Sequence, residues 1–282
     1  MCALPDSYAI PLFVFGAYLI SWLIWLSGGY FHGNVNIEIM GSVFDVPLRA
    51  VPFLLGNIGP GIAATAVVGL TQGQQGVRAL WSALKPSGLS TRWLLFVIVL
   101  FPSLVAIALF GYWLLGGKII STGNPARWIL LIVVNLPFAP LWEEIGWRGF
   151  LLRRLESKYR GLLASLILAS IWAPWHLPLY WNSPFENFVW FVVMIFALSV
   201  IFTWVYNRSH GNLVPVVALH AMVNSTNLYL LRPTLQSYGT RPLRFVVGSL
   251  VCAAVVIVIS EGSGLCMNSL PDLMWPSPPI SK

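Results

Sequence analysis

The chain has 282 residues, of which 57% are hydrophobic and 9% are charged, and its mean hydropathy is +0.78. A soluble domain carries about 25% charged residues, so a water-soluble globule is excluded and an integral membrane protein is expected. The net charge of +7 does not mark a nucleic-acid binder: the basic residues are scattered over short loops, no binding module is visible, and anionic lipid headgroups are the expected partners.

Eight apolar segments follow in chain order as membrane-helix candidates. The first is Ala9 to Gly29. No basic stretch precedes it and no cleavage site follows, so it is expected to be a retained helix rather than a leader. Residues 30–49 alternate weakly at Val35, Ile37 and Ile39, the pattern of a small hairpin or an interfacial element. The second segment, Ala50 to Leu70, contains Gly56-Asn57-Ile58-Gly59-Pro60-Gly61, where a kink or a close helix contact is expected. The third is Trp93 to Leu115. The fourth starts near Arg127 and runs as helix to about Leu155. The fifth is Gly161 to Tyr180, the sixth Phe188 to Tyr206, the seventh Asn212 to Leu231 and the eighth Phe245 to Ser260. The expectation is an all-α polytopic membrane bundle of about eight transmembrane helices. It forms one domain over 1–260, followed by a Pro-rich, poorly ordered tail over 261–282. Fourteen tryptophans suit so many membrane–water interfaces. Cys2, Cys252 and Cys266 show neither metal-ligand spacing nor a disulfide framework.

Loop Lys and Arg set the expected orientation. The side holding the N-terminus, the tail and the loops at 71–92, 148–160 and 207–211 has ten basic residues, against six on the other. Both termini are therefore expected in the cytoplasm, in the plasma membrane of a bacterium.

The fourth segment ends in Trp142-Glu143-Glu144-Ile145-Gly146-Trp147-Arg148. An ionised side chain near a bilayer centre costs roughly 2.5–3.5 kcal/mol, and a mere anchor needs none, so these charges point to a functional site; the alternative is a structural Glu–Arg pair or a helix that simply ends at Trp142. Glu144 and Arg148 are four apart and can pair on one helix face. Glu143 lies about 140° around the helix from Arg148 and lacks that partner, which leaves it for proton transfer. Trp147, one turn from Glu143, is placed to wall the site. Two further segments add His176, bracketed by Pro174 and Pro178, and the pair His220 and Asn224, which share a helix face. At ~1.5 Å per residue, Glu143, His176, His220 and Asn224 fall ~15, ~22, ~12 and ~18 Å in from one membrane edge. All four thus lie near the middle of a ~30 Å core. They are expected to line one polar cavity, open toward the side bearing Arg153 and Arg154.

Taken together, Glu143-Glu144-x-x-x-Arg148, Trp172-x-x-x-His176 and His220-x-x-x-Asn224 resemble the three motifs of the CPBP family of intramembrane proteases. This family is also called Abi and includes the type II CAAX prenyl endopeptidases. The motifs stand in the family's order and span roughly 127–231; Trp172 departs from the usual Phe. The resemblance implies an eight-helix bundle and hydrolysis of a peptide bond in a membrane-associated peptide or protein, prenylated or otherwise anchored. It implies that Glu143 with His176 activates a water, that His220 and Asn224 stabilise the oxyanion, and that Glu144 and Arg148 orient the first motif. Glu143, His176 and His220 also form a conceivable zinc set. Because the chain has no His-Glu-x-x-His, a metal-free glutamate mechanism without cofactor is preferred. The alternatives are a zinc-dependent version of the same protease, a non-catalytic immunity or interaction protein that keeps the fold, and a transporter using Glu and His as a proton relay.

Overall fold

A computed structural model of the chain describes residues 5–30, 32–39, 42–48, 50–120 and 124–266. Helix α1 (Ala9–Ser27) leads to a two-stranded antiparallel hairpin, β1 (Asn34–Ile39) with β2 (Ser42–Pro47), in which Asn34 pairs with Pro47 and Ile39 with Ser42. The hairpin expected between the first two segments is therefore present. The chain then re-enters helix as α2 (Ala50–Gly56) and α3 (Gly59–Ser82), followed by α4 (Thr91–Leu114).

The motif-bearing half starts at α5 (Pro125–Asn135), which begins cleanly because the Asn124 side chain accepts from the Ala126 N–H at 2.9 Å. Next come α6 (Ala139–Glu144), a π-helical stretch (Ile145–Leu152) and α7 (Arg153–Glu156). Then follow α8 (Gly161–Trp175), α9 (Leu177–Tyr180) and α10 (Phe185–Arg208). The chain continues through α11 (Leu213–Thr226), a second π-helical stretch (Asn227–Leu231), α12 (Arg232–Tyr238) and α13 (Arg241–Glu261).

Among the described residues, six helical stretches are long and apolar enough to cross a membrane, and a seventh arises if α5 and the helix over Ala139–Glu156, bent by 44° between them, count as one span. Helix α8 has 15 residues, short for a span, and continues past His176 into α9. All eight expected apolar segments are thus helical; six pass as spans by length and composition, a seventh with the bent pair, and the shorter α8 is continued by α9. The break at His176 has a local cause. Pro178 has no N–H to donate to the carbonyl one turn back, so the α8 ladder stops before it. The second segment is longer than expected, reaching Ser82 through a kink at Gly73, whose φ of 66° favours glycine. Large apolar side chains such as Phe15, Leu23, Ile107, Val133 and Ile259 point outward, as a bilayer-facing surface requires. The protein is an integral, multi-pass helical membrane bundle.

Helix α1 packs on α3, α8 on α10, and α4 on both α11 and α13. The π-helical stretch lies against α3 at a point where side chains must be absent. A Cβ on Gly146 would sit 2.6 Å from Pro60 Cβ and 2.7 Å from the Pro60 carbonyl, and one on Gly61 would sit 2.8 Å from the Trp142 carbonyl. Residues 261–266 of the expected tail are packed, with Leu265 fully buried; the remainder, 267–282, lies outside the described residues.

Overpacking at this contact has a measurable consequence. Gly146→Ala should lower stability by about 1–3 kcal/mol, because the obstacle is backbone and cannot swing aside. Gly248→Ala, in α13 with nothing within 4 Å of its Cβ position, should be neutral or stabilising by up to about 1 kcal/mol. Thermal unfolding of both variants in detergent checks this; equal midpoints would contradict the contact.

Candidate active site

All eight residues of the first π-helical stretch are buried, together with Glu143 and Glu144. A π turn widens the helix and shifts which side chains share a face, and such turns are frequent at functional sites. Here Arg148 turns inward and Nη1 donates to Glu144 Oε1 at 3.0 Å, with both side chains fully buried. The guanidinium lies 4.3 Å from the Trp172 ring centroid and 4.8 Å from that of Phe202, so aromatic faces from α8 and α10 cover the charge.

Glu144 has a second partner that spacing did not reveal. His220 Nδ1 lies 2.7 Å from the same Oε1. Glu144 paired with Arg148 is a carboxylate with no proton to give, so Nδ1 is the donor, and Nε2 is the atom left for chemistry. His176 is fixed the same way: its Nδ1 donates to the Trp172 carbonyl at 2.9 Å, leaving Nε2 as a lone pair when the ring is neutral. Glu143 is 2% exposed, and its Oε2 accepts from the Trp172 indole N–H at 2.9 Å.

A cavity of about 490 Å³ reaches the two imidazoles. Trp172, His176, His220 and Asn224 line one end of it, and Phe191, Met194, Leu198 and Phe202 give it apolar walls. Glu143 is not among the lining residues; it meets the cavity through Trp172. The cavity continues past Asn227 and Leu231 to Asn187, Gln236, Gly239 and Thr240. Those residues lie at the start of α10 and at or just past the end of α12, the face opposite α7 with its Arg153 and Arg154. The expected opening is therefore corrected. The Arg153 side is plugged by the buried π-helical stretch and by Glu156, whose Oε1 accepts from Asn207 at 2.7 Å.

Trp147 is also reassigned. It is fully buried and makes edge contacts with Phe13 at 5.4 Å and Trp175 at 5.6 Å, so it belongs to the core between α1 and α8. The indole–Glu143 bond was the functional contact missed. The aromatic was visible in the motif, but nothing in the spacing says that its N–H reaches a carboxylate. Among the described residues, no group of three or more His, Cys, Asp or Glu side chains is gathered as a metal ion requires.

The fold and site define a polytopic helical membrane protein with a buried carboxylate–imidazole centre at the end of an apolar cavity. Residues 125–226 match the family model described as type II CAAX prenyl endopeptidase Rce1-like. A curated CAAX prenyl protease 2 from Methanococcus maripaludis is 23% identical over 274 residues, covering 89% of this chain and 94% of that protein. The chain is thus similar to CAAX prenyl proteases in the region that carries its three motifs, and that similarity supports a membrane protease.

The Glu144–Arg148 pair makes a stability prediction. Arg148→Met leaves a buried carboxylate facing only His220, and breaking a buried pair from one side costs ~3–5 kcal/mol. Adding Glu144→Gln removes the stranded charge and should restore much of that loss. Folded yield and thermal midpoint in detergent measure both; a double variant no better than Arg148→Met would contradict the pairing.

Proposed function

We propose that the chain is an intramembrane endopeptidase that cuts a peptide bond in a membrane-anchored peptide or protein, using a water activated by Glu143. The observation that carries this reading is the convergence of His176, His220 and Asn224 on one end of the cavity, with Glu143 held directly behind Trp172. An apolar cavity ending in polar groups suits a lipid-anchored chain, and a prenylated one fits that chemistry.

In this mechanism the His176 Nε2 lone pair accepts a hydrogen bond from the water and Glu143 takes its proton as oxygen attacks the carbonyl carbon. Glu143 then returns the proton to the leaving amine. The tetrahedral oxyanion accepts from the Asn224 amide and from His220 Nε2. Since His220 Nδ1 already donates to Glu144, the oxyanion role needs both ring nitrogens protonated, and the Glu144 carboxylate faces that imidazolium. Arg148 keeps Glu144 in place. Trp172 has to release or share Glu143 for the water to reach it.

The reading is metal-free, supported by the commitment of Glu144 to Arg148 and His220 and of Glu143 to Trp172. The loop bias of ten basic residues against six supports cytoplasmic termini in a bacterial plasma membrane, with the mouth of the cavity on the opposite face.

Membrane-fraction proteomics with the wild-type chain and Glu143→Gln tests this. Peptides cut only by wild type are expected, because the amide keeps the shape and removes the base. Asn224→Ala removes one oxyanion donor and should retain a rate about 10²–10³-fold lower. Cleavage that survives Glu143→Gln would overturn the proposed base. Stoichiometric zinc with loss of activity on chelation would overturn the metal-free account.

A further inference from the structure

A second cavity, of about 510 Å³, lies on the face opposite the first one's mouth. Lys85, Arg153, Arg208 and His210 line it, with Trp93 and Leu89 as apolar wall, and no Asp or Glu is among its lining residues. Arg208, half exposed, also meets Glu261 at 3.4 Å. The proposed protease mechanism uses none of these residues.

The walls are held in place. Asn212 Nδ2 donates to the Lys85 carbonyl at 2.6 Å, the Leu213 N–H donates to the Ala83 carbonyl at 2.8 Å, and Trp93 Nε1 donates to Ser209 Oγ at 2.9 Å. These bonds tie the 83–90 loop to the 209–212 loop, so the basic groups face a formed concavity rather than a loose surface. Trp93 is the third residue of α4 and Arg208 the last of α10, which places the cavity at the membrane–water boundary. Tryptophan at that depth and Lys and Arg just outside it match the headgroup zone.

We propose that this cavity binds a phosphate group, carried by the headgroup of an anionic phospholipid or by a soluble phosphate ester. Lys85 and Arg208 supply charge, Arg153, whose guanidinium also acts on Glu156, adds to it, and Trp93 and Leu89 face the glycerol and first methylenes of a lipid. Arg153 begins α7, directly after the π-helical stretch that carries Arg148.

The test uses delipidated full-length protein. Binding is read by native mass spectrometry and by thermal shift against phosphatidylglycerol, phosphatidylcholine, glycerol phosphate and inorganic phosphate. Wild type should retain and be stabilised by phosphatidylglycerol over phosphatidylcholine if the source is lipid, or respond to the soluble phosphates if it is not. Each basic residue beside an anionic headgroup is worth roughly fivefold in affinity, so Lys85→Gln with Arg208→Gln should weaken binding about thirtyfold. Arg78→Gln with Lys158→Gln, on the same face but outside the cavity, should change it far less. If the double variant melts early without ligand, Lys85→Gln alone is read, with about a fivefold loss expected. No phosphate preference in wild type, or equal losses in the cavity and control variants, would overturn the proposal.

Discussion

One carboxylate oxygen joins three parts of the molecule. Glu144 Oε1 accepts from Arg148 on its own helix and from His220 on α11, with Glu144 and Arg148 fully buried. A buried carboxylate alone is prohibitively costly, and it becomes tolerable only when opposite charge and donors surround it. Meeting that demand fixes the rotation of the π-helical stretch relative to α11, and it orients the His220 ring. It also separates the two neighbouring glutamates: Glu144 holds the centre through Oε1, which meets two cationic or donor groups, while Glu143 is held by one neutral indole donor. That asymmetry supports their different proposed roles.

The surrounding packing preserves the arrangement. Gly61 and Gly146 let α3 approach the motif helix at backbone distance, which leaves the charged side chains only the interior to occupy. The α8 break at His176 brings an imidazole to the cavity without extending the helix past it. The plug around Phe150, Leu152 and Glu156 closes one end, so access runs along the apolar groove between α10 and the α11–α12 helix.

Much of this was legible in the sequence. Runs of apolar residues gave the helices, because a bilayer leaves the backbone few other ways to satisfy its hydrogen bonds. Depth counted along three helices brought His176, His220 and Asn224 to one level, and they do line one cavity. What escaped the sequence depends on side-chain direction. A regular 3.6-residue count pairs Glu144 with Arg148 but has no way to show that His220 shares the same oxygen. The same count assigned Trp147 to the site, whereas the widened turn sends it into the α1–α8 core. Trp172 reads from the sequence only as an aromatic, and its N–H acquires meaning when Glu143 is found 2.9 Å away. The mouth of the cavity was misplaced because hydropathy carries no information on which end of a bundle is filled. Polar Gln72, Gln74 and Gln75 masked the extension of α3, which runs on to Ser82.

The central claim is that both histidines are anchored through Nδ1 and present Nε2 to the cavity. Nitrogen-15 spectra of the histidine-labelled protein, assigned with His176→Gln and His220→Gln, read this directly. The account predicts a proton on Nδ1 of both rings, and a bare Nε2 on His176. A bare Nδ1 on His220, or an Nε2-protonated neutral ring at His176, would contradict it.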